Sequence, residues 1–369
     1  MACRFLFYPR VSWDEKQSGG HIHRKANVRW ILSLTALLAA AILLFLFRWR
    51  EEGFDWRLFA ATFRKLDWFW LSAAGLFGLA TYYGRVLRWA VLMRPVCPRP
   101  NLRGLFSATA IGFTAVVVFG RPGEFVRPYL VSLKERVPFS SQAAAWLLER
   151  IFDLLAALLI FGFALAQIER SGIHAGPTIA WVLKAGGWIV AVVGFACLAV
   201  LFLLSRYAQP MQQRLLSALS FLPAAWHGKV QELVVSFVRG VESIRDLGSL
   251  LWILFYTALE WALIAGCYVT LFRAFPDLTW FRLPDILIFV GFVSFGSIVQ
   301  LPGVGGGMQL VAIVVLTELF GAPLELAASM ALMIWIITFV VIVPVGIIML
   351  FHEGLNWQKL KEMEARASI

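Results

Sequence analysis

The sequence predicts an all-α polytopic integral membrane protein, and three observations predict it. Sixty per cent of the 369 residues are apolar and 15% are charged, with a mean hydropathy of +0.77. Soluble domains carry about a quarter charged residues, so too little polar surface remains to cover a water-soluble particle of this size. Apolar runs of the length that spans a bilayer core, about 20 residues, recur along the chain. The 33 Lys+Arg exceed the 22 Asp+Glu, for a net charge of +11, and the placement of that surplus reports topology. A soluble enzyme is excluded by the composition alone.

Residues 1–29 are basic and lack an apolar core followed by a cleavage site, so they do not read as a signal peptide. The run 30–47 reads as a retained helix. Full-length spans follow at 68–93, 143–168, 178–205, 249–274 and 324–351. Two further apolar blocks are interrupted. Block 104–134 is broken by Gly-Arg-Pro-Gly-Glu at 120–124, and block 284–320 by Leu-Pro-Gly-Val-Gly-Gly-Gly at 301–307. Proline and glycine interrupt the helical hydrogen-bond ladder. Each block is therefore either a crossing or a re-entrant pair that turns inside the membrane, where irregular backbone survives only if buried or lining a cavity.

Basic residues choose between these. If all eight blocks cross, the 29 bases outside the spans divide 15 to 14. If both broken blocks are re-entrant, they divide 21 to 8 in favour of the cytoplasm. The expected architecture is six full transmembrane helices plus two re-entrant broken-helix pairs, both termini cytoplasmic, with eight simple crossings as the alternative. The organisation is a basic segment (1–29), one helical membrane domain (30–351) and a short cytoplasmic tail (352–369).

An internal repeat accompanies this plan. Residues 138–153 align with 323–338 at an offset of 185, pairing Pro138 with Pro323, Ala143 with Ala328 and Leu147 with Leu332. The repeat-like halves are about 104–168 and 284–351. In the re-entrant arrangement they have opposite orientation, an inverted repeat of the transporter type. The polar insertion 206–248 contains an amphipathic stretch at 228–246, suited either to the inner membrane surface or to capping the bundle.

Charged groups inside apolar spans are costly unless paired or functional. Arg121, Glu124, Arg127, Glu149, Arg150 and Asp153 form the strongest constellation. Glu149 and Asp153 share a helix face. The set reads equally as an ion-pair network and as a polar cavity for a headgroup. Gly123 reads as the start of a half-helix, whose free amides attract an anion. Arg121 and Arg127 would add charge-assisted bonds suited to a phosphate. Arg85 and Arg88 read either as snorkelling residues or as headgroup contacts. Glu260 is deep and is either paired with an arginine of another helix or protonated. Gly303, Gly305, Gly306 and Gly307 allow close backbone approach, or tight helix packing, with Gln300 and Gln309 flanking them. The four cysteines and five histidines show no metal-ligand spacing and no disulfide framework. No catalytic motif, metal or cofactor is expected, and no nucleic-acid partner. The abundant tryptophans at block ends read as an interfacial belt.

These features resemble the lysylphosphatidylglycerol synthase/flippase membrane domain over roughly residues 30–350. The resemblance rests on Arg85-Val-Leu-Arg-Trp89, Gly120 to Glu124 with Arg127, Glu149-Arg150-x-x-Asp153, and Pro302 to Gly306. It implies a lipid-translocating or lipid-handling role for anionic phospholipids, polyprenyl or hopanoid-type lipids, in a bacterial or archaeal cytoplasmic membrane. Two positions depart from the family pattern. Gln309 stands where an acid is frequent, and Trp335 stands where an arginine is frequent. About 18 residues follow the last span, so lysyl transfer is not expected of this chain alone. Two alternatives stay open. One is a membrane enzyme such as a polyprenyl-phosphate glycosyltransferase, with Glu51, Glu52 and Asp55 as candidate acids. The other is a non-catalytic scaffold that docks a biosynthetic membrane partner through 206–248.

Overall fold

The computed structural model describes residues 54–171, 186–207 except 189 and 204, 224–297, 300–301 and 305–353. The expected helix 30–47, the basic segment 1–29, nearly all of the tail, and Gly303 lie outside the described residues. What is described is helical apart from one two-residue antiparallel ladder, Gln300–Leu301 with Gly305–Gly306. The helices are α1 (Trp56–Arg64), α2 (Trp68–Leu92), α3 (Leu102–Phe119), α4 (Val126–Glu135), α5 (Phe139–Ser171), α6 (Gly186–Tyr207), α7 (Ala224–Val241), α8 (Leu247–Ala274), α9 (Leu283–Gly296), α10 (Gly307–Val314), α11 (Leu324–Thr338) and α12 (Val343–His352).

Short polar residues fix where helices begin. The Asp55 carboxylate accepts the Arg57 and Leu58 amides at 2.8 and 3.1 Å. Asp67 accepts Phe69 N at 2.8 Å, and Asn101 accepts Arg103 N at 3.1 Å. Each satisfies orphan N–H groups of a first turn. Asp246 caps α8 through Ser249 N at 2.8 Å, and that hydrogen bond holds its carboxyl below the usual range. α5 and α11 each start one residue after a proline, Pro138 and Pro323. Their starts are thus separated by the same 185 residues as the sequence repeat.

Among the described residues, five stretches are long and apolar enough to cross a membrane: 102–119, 139–168, 186–207, 247–274 and 324–352. Four of them coincide with expected spans. α2 is long enough, but Arg85, Arg88 and two tyrosines dilute its apolar character. The stretch 324–352 is not one straight helix. A 3₁₀ turn at Val340–Ile342 separates α11 from α12, and Pro344 enters the first turn of α12, where it lacks the amide a continuous helix would need.

Both broken blocks fold back as helical hairpins, and neither is a single straight rod. In the first, α3 ends at Gly120 (φ 72°), a 3₁₀ turn runs Arg121–Phe125, and α4 returns along α3. A Cβ on Gly123 would lie 2.4 Å from the Ala115 carbonyl oxygen, and one on Gly112 would lie 2.6 Å from the Arg127 Cβ. At the base, the Asn101 amide donates to Glu135 Oε1 at 3.1 Å. In the second hairpin, α9 and α10 approach so closely that a Cβ on Gly296 would lie 2.6 Å from the Gly307 carbonyl oxygen. Its base closes through the Phe281 and Phe320 rings, 4.7 Å apart.

The hairpins point at each other. Their tips meet where Arg121 Nη2 donates to the Ser297 carbonyl at 2.9 Å. Their bases lie at opposite ends of the bundle. Glu353, at the end of α12, accepts from Lys134 and Ser107 at the first base. The second base lies by α11's start, where the Asp55 amide donates to Glu325 Oε1 at 3.1 Å, and by the Asp67 N to Ala274 O bond at 3.0 Å. At about 1.5 Å per residue, α3 is about 27 Å long and α9 about 21 Å, while α2 is about 37 Å.

Between the hairpins, α2 and α8 pack antiparallel, with Cys267 Sγ 3.4 Å from the Ala74 carbonyl. Two large apolar cores result, with a small third cluster of Tyr82, Ala110 and Ile342. One large core gathers α8 to α11, and the other gathers the end of α2 with α3, α4 and α5. α7 packs on α5, where a Cβ on Gly240 would lie 2.6 Å from the Ser141 carbonyl oxygen. Val238 and Val241 are buried and Leu233 is exposed. Cys197 and Cys267 are buried free thiols.

Candidate functional site

Four elements carry charge to one place inside the bundle. α2 supplies Arg85 and Arg88, three residues apart and so on one face. α5 supplies Glu149, Arg150 and Asp153. α4 supplies Arg127 and α8 supplies Glu260. Among the described residues this assembles four guanidinium groups and three carboxylates.

Glu149 is fully buried at the centre. Arg127 Nη1 donates to both its oxygens, at 3.1 and 3.0 Å, and Arg88 Nη2 lies 3.0 Å from Oε1. Arg88, also fully buried, reaches Asp153 Oδ1 at 2.6 Å, Glu260 Oε2 at 3.1 Å and the Thr257 hydroxyl at 3.1 Å. Arg85 Nη2 lies 2.7 Å from Glu260 Oε1. The Arg127 guanidinium stacks over Trp89 at 4.1 Å, a desolvated cation–π contact. Trp89 is oriented by donating Nε1–H to Gln142 at 3.0 Å. Taking charges out of water is repaid only when geometry and remaining hydrogen bonds are good; Glu149 meets that condition best, whereas both Glu260 oxygens, Arg85 Nη1, Arg88 Nε and Arg127 Nε are buried without a hydrogen bond of good geometry.

Arg150 is the seventh charged group. Its Nη2 lies 3.6 Å from Asp153 and 3.8 Å from Glu149, beyond direct hydrogen bonding, and its side chain is 33% exposed. It lines a cavity of about 530 Å³. Arg85, Asp153 and Arg121 also line this cavity. Much of the remaining wall is apolar, with Phe113, Ile264, Val293, Phe295 and Met308 among its members.

The sequence-predicted residues therefore separate into three groups. Arg85, Arg121, Arg150 and Asp153 face the cavity. Arg88, Arg127, Glu149 and Glu260 stand behind it as the paired network. The snorkelling reading of Arg88 is thereby corrected: three carboxylates hold its head inside the bundle, so it has no reason to seek the interface. Of the two readings of Glu260, the structure gives the paired one.

The third group does structural work. Gly123 does not present an anion cradle, because it is buried against the backbone of α3. α4 begins only at Val126, and Glu124 occupies the preceding turn. Glu124 pairs with Arg121 at 2.6 Å and accepts from Trp146 Nε1 at 3.3 Å. Gly305 and Gly306 form the short ladder, with Gly306 at φ 129°, a conformation that favours glycine. Gly307 opens α10, and Gln309 Oε1 accepts the Gly306 amide at 2.6 Å. None of Gly123, Glu124, Gly305, Gly306, Gly307 and Gln309 lines the cavity. In the second half, Trp335 occupies the repeat position of Arg150, and the charge is not duplicated.

Sequence reasoning missed Gln142, Thr257, Tyr82 and Phe113. Tyr82 precedes Arg85 by one helical turn and lines the same cavity, donating to the Thr338 carbonyl. That spacing was the available signal. Gln142 and Thr257 are unremarkable in sequence, and only tertiary contact identifies them.

Comparison with known proteins bears on this architecture. Over 103 residues the chain is 29% identical to Glycosyltransferase AglD of Haloferax volcanii, a match covering 28% of this chain and 16% of that protein. The alignment thus spans about a sixth of the relative's length. No solved structure matches. Residues 30–346 match the lysylphosphatidylglycerol synthase TM region, and because that is most of the chain, the protein belongs to this family.

Proposed function

We propose that the protein is a lipid transporter of the flippase type, which takes the headgroup of an anionic lipid into the cavity beside Arg150. The observation that carries this reading is the position of the cavity. It is charged at Arg85, Arg150 and Asp153, it is otherwise largely apolar, and it adjoins the point where the two inverted hairpins meet at Arg121 and Ser297. Lipid headgroups need polar partners and their chains need apolar ones, so such a cavity suits the junction of both. Its 530 Å³ falls within the usual range of ligand pockets, about 300–1,000 Å³. In this reading the hairpins are re-entrant from opposite faces, both termini are cytoplasmic, and the protein resides in a bacterial or archaeal cytoplasmic membrane. Family membership supports a lipid-related role.

The likeness to a glycosyltransferase favours a second reading, service to a glycolipid pathway. That reading does not require catalysis by this chain. Asp55, a candidate acid, has its carboxylate engaged in capping α1. A biosynthetic membrane partner fits this reading, and α7 belongs to the insertion that would dock it.

The test is the lipid that accompanies the purified protein. Native mass spectrometry is expected to show anionic lipids enriched over their share of the host membrane, and Arg150→Ala to remove the enrichment. Bound lipids that mirror the bulk membrane in both proteins would refute the site.

A further inference from the structure

The buried network carries an uneven charge count. Arg85, Arg88, Arg127 and Arg150 face Glu149, Asp153 and Glu260. Arg121 and Glu124 beside them form a balanced pair at 2.6 Å. Among the described residues one positive charge is left over, in a setting where uncompensated charge is costly.

Geometry locates the surplus. Arg88 has three carboxylates within 3.1 Å. Arg127 has Glu149 at 3.0 Å and the face of Trp89. Arg85 has Glu260 at 2.7 Å as an ion-pair contact, while its Nη1 is buried without a hydrogen-bond acceptor. Only Arg150 keeps its acids beyond 3.5 Å, and only Arg150 of the four is more than a fifth exposed. Its planar guanidinium suits an oxyanion with two coplanar oxygens.

We infer that the cavity is charge-matched to a lipid bearing a single negative charge, the charge of a phosphodiester, and that Arg150 is the residue that sets this selectivity. The inference rests on the anionic-headgroup reading above and narrows it. A neutral or zwitterionic headgroup leaves the surplus uncompensated. A phosphomonoester or diphosphate brings more charge than the site can balance, and the excess would meet Asp153 on the same wall.

The test titrates the purified full-length chain with three lipids of equal chain length at pH 8.5, read by native mass spectrometry. Dioleoylphosphatidylglycerol carries one charge, dioleoylphosphatidylcholine none overall, and dioleoylphosphatidic acid more than one. Phosphatidylglycerol is expected to bind about tenfold tighter than phosphatidylcholine, the equivalent of one modest ion pair, and phosphatidic acid no tighter than phosphatidylglycerol. In Arg150→Gln the first two lipids are expected to bind within about twofold of each other. That variant balances the network at three against three, so its melting temperature should not fall below wild type. Equal binding of phosphatidylglycerol and phosphatidylcholine by wild type would overturn the underlying headgroup reading. Preference for phosphatidic acid over phosphatidylglycerol, or a charge preference that persists in a folded Arg150→Gln, would overturn the charge match alone. A melting temperature several degrees below wild type would place Arg150 among the structural ion pairs and overturn it as well.

Discussion

Replacing Glu149 with alanine is expected to destabilise the protein by about 3–5 kcal/mol, the cost of leaving a buried charge unpaired. The carboxylate is fully buried and is shared by Arg127 and Arg88, with Arg85 at 3.6 Å. Without it, four guanidinium groups face two carboxylates. Arg127 loses its acid altogether and keeps Trp89 and the Arg85 carbonyl, to which its Nη2 donates at 3.1 Å. Because Arg127 lies on α4, Arg88 on α2 and Glu149 on α5, the change loosens three elements together. Glu149→Gln keeps the acceptor oxygen and should cost less than alanine. Thermal unfolding in detergent checks both: alanine is expected to melt lowest, glutamine between it and wild type. An alanine variant as stable as wild type would show that the network adds nothing to the fold.

Gly123→Ala is the second large effect. A Cβ there would lie 2.4 Å from the Ala115 carbonyl oxygen and 2.6 Å from the Val116 nitrogen, both backbone atoms of α3. Backbone cannot rotate aside as a side chain does, so the hairpin must open at its tip. Overpacking a tight site costs about 1–3 kcal/mol. The functional cost should be greater, because the tip carries Arg121, which joins the two hairpins. The expected result is a lowered melting temperature with loss of lipid movement, even where the purified protein retains its helical content by circular dichroism. Gly123→Ala with wild-type lipid movement would mean that tip geometry is not part of the mechanism.

The parts of this structure legible in the sequence are those written as local contrast. Proline and glycine inside apolar blocks marked both hairpin turns, and Pro138 and Pro323 marked equivalent helix starts. Charge inside apolar runs marked Glu149, Arg150, Asp153, Arg85 and Glu260. Partnership was less legible. Arg88 and Glu260 are 172 residues apart, and no helical spacing joins them, so Arg88 read as readily as a snorkelling residue. Gly123 followed by Glu124 carries the same local signature whether the glycine cradles an anion or clears space for α3. Only packing distinguishes the two, and it chose the second. The break between α11 and α12 was hidden because the run through it, Phe339 to Val343, is wholly apolar, leaving Thr338 and Pro344 at its edges as weak marks. The absence of charge at Trp335 was legible, and it corresponds to a site whose repeat-derived charges come from the first half alone, the second half lending only uncharged wall residues such as Val293, Phe295 and Met308.

In the proposed transport an anionic headgroup passes through the cavity between the two hairpins. The most direct measurement is movement of a headgroup-labelled phosphatidylglycerol between leaflets of proteoliposomes holding wild type, Arg150→Ala or Arg150→Lys at equal reconstitution. Wild type is expected to move the lipid well above protein-free vesicles. Arg150→Ala should fall to that background, and Arg150→Lys should retain part of the rate because it keeps the charge but loses the planar fork. Movement by Arg150→Ala at the wild-type rate would contradict passage of the headgroup past Arg150.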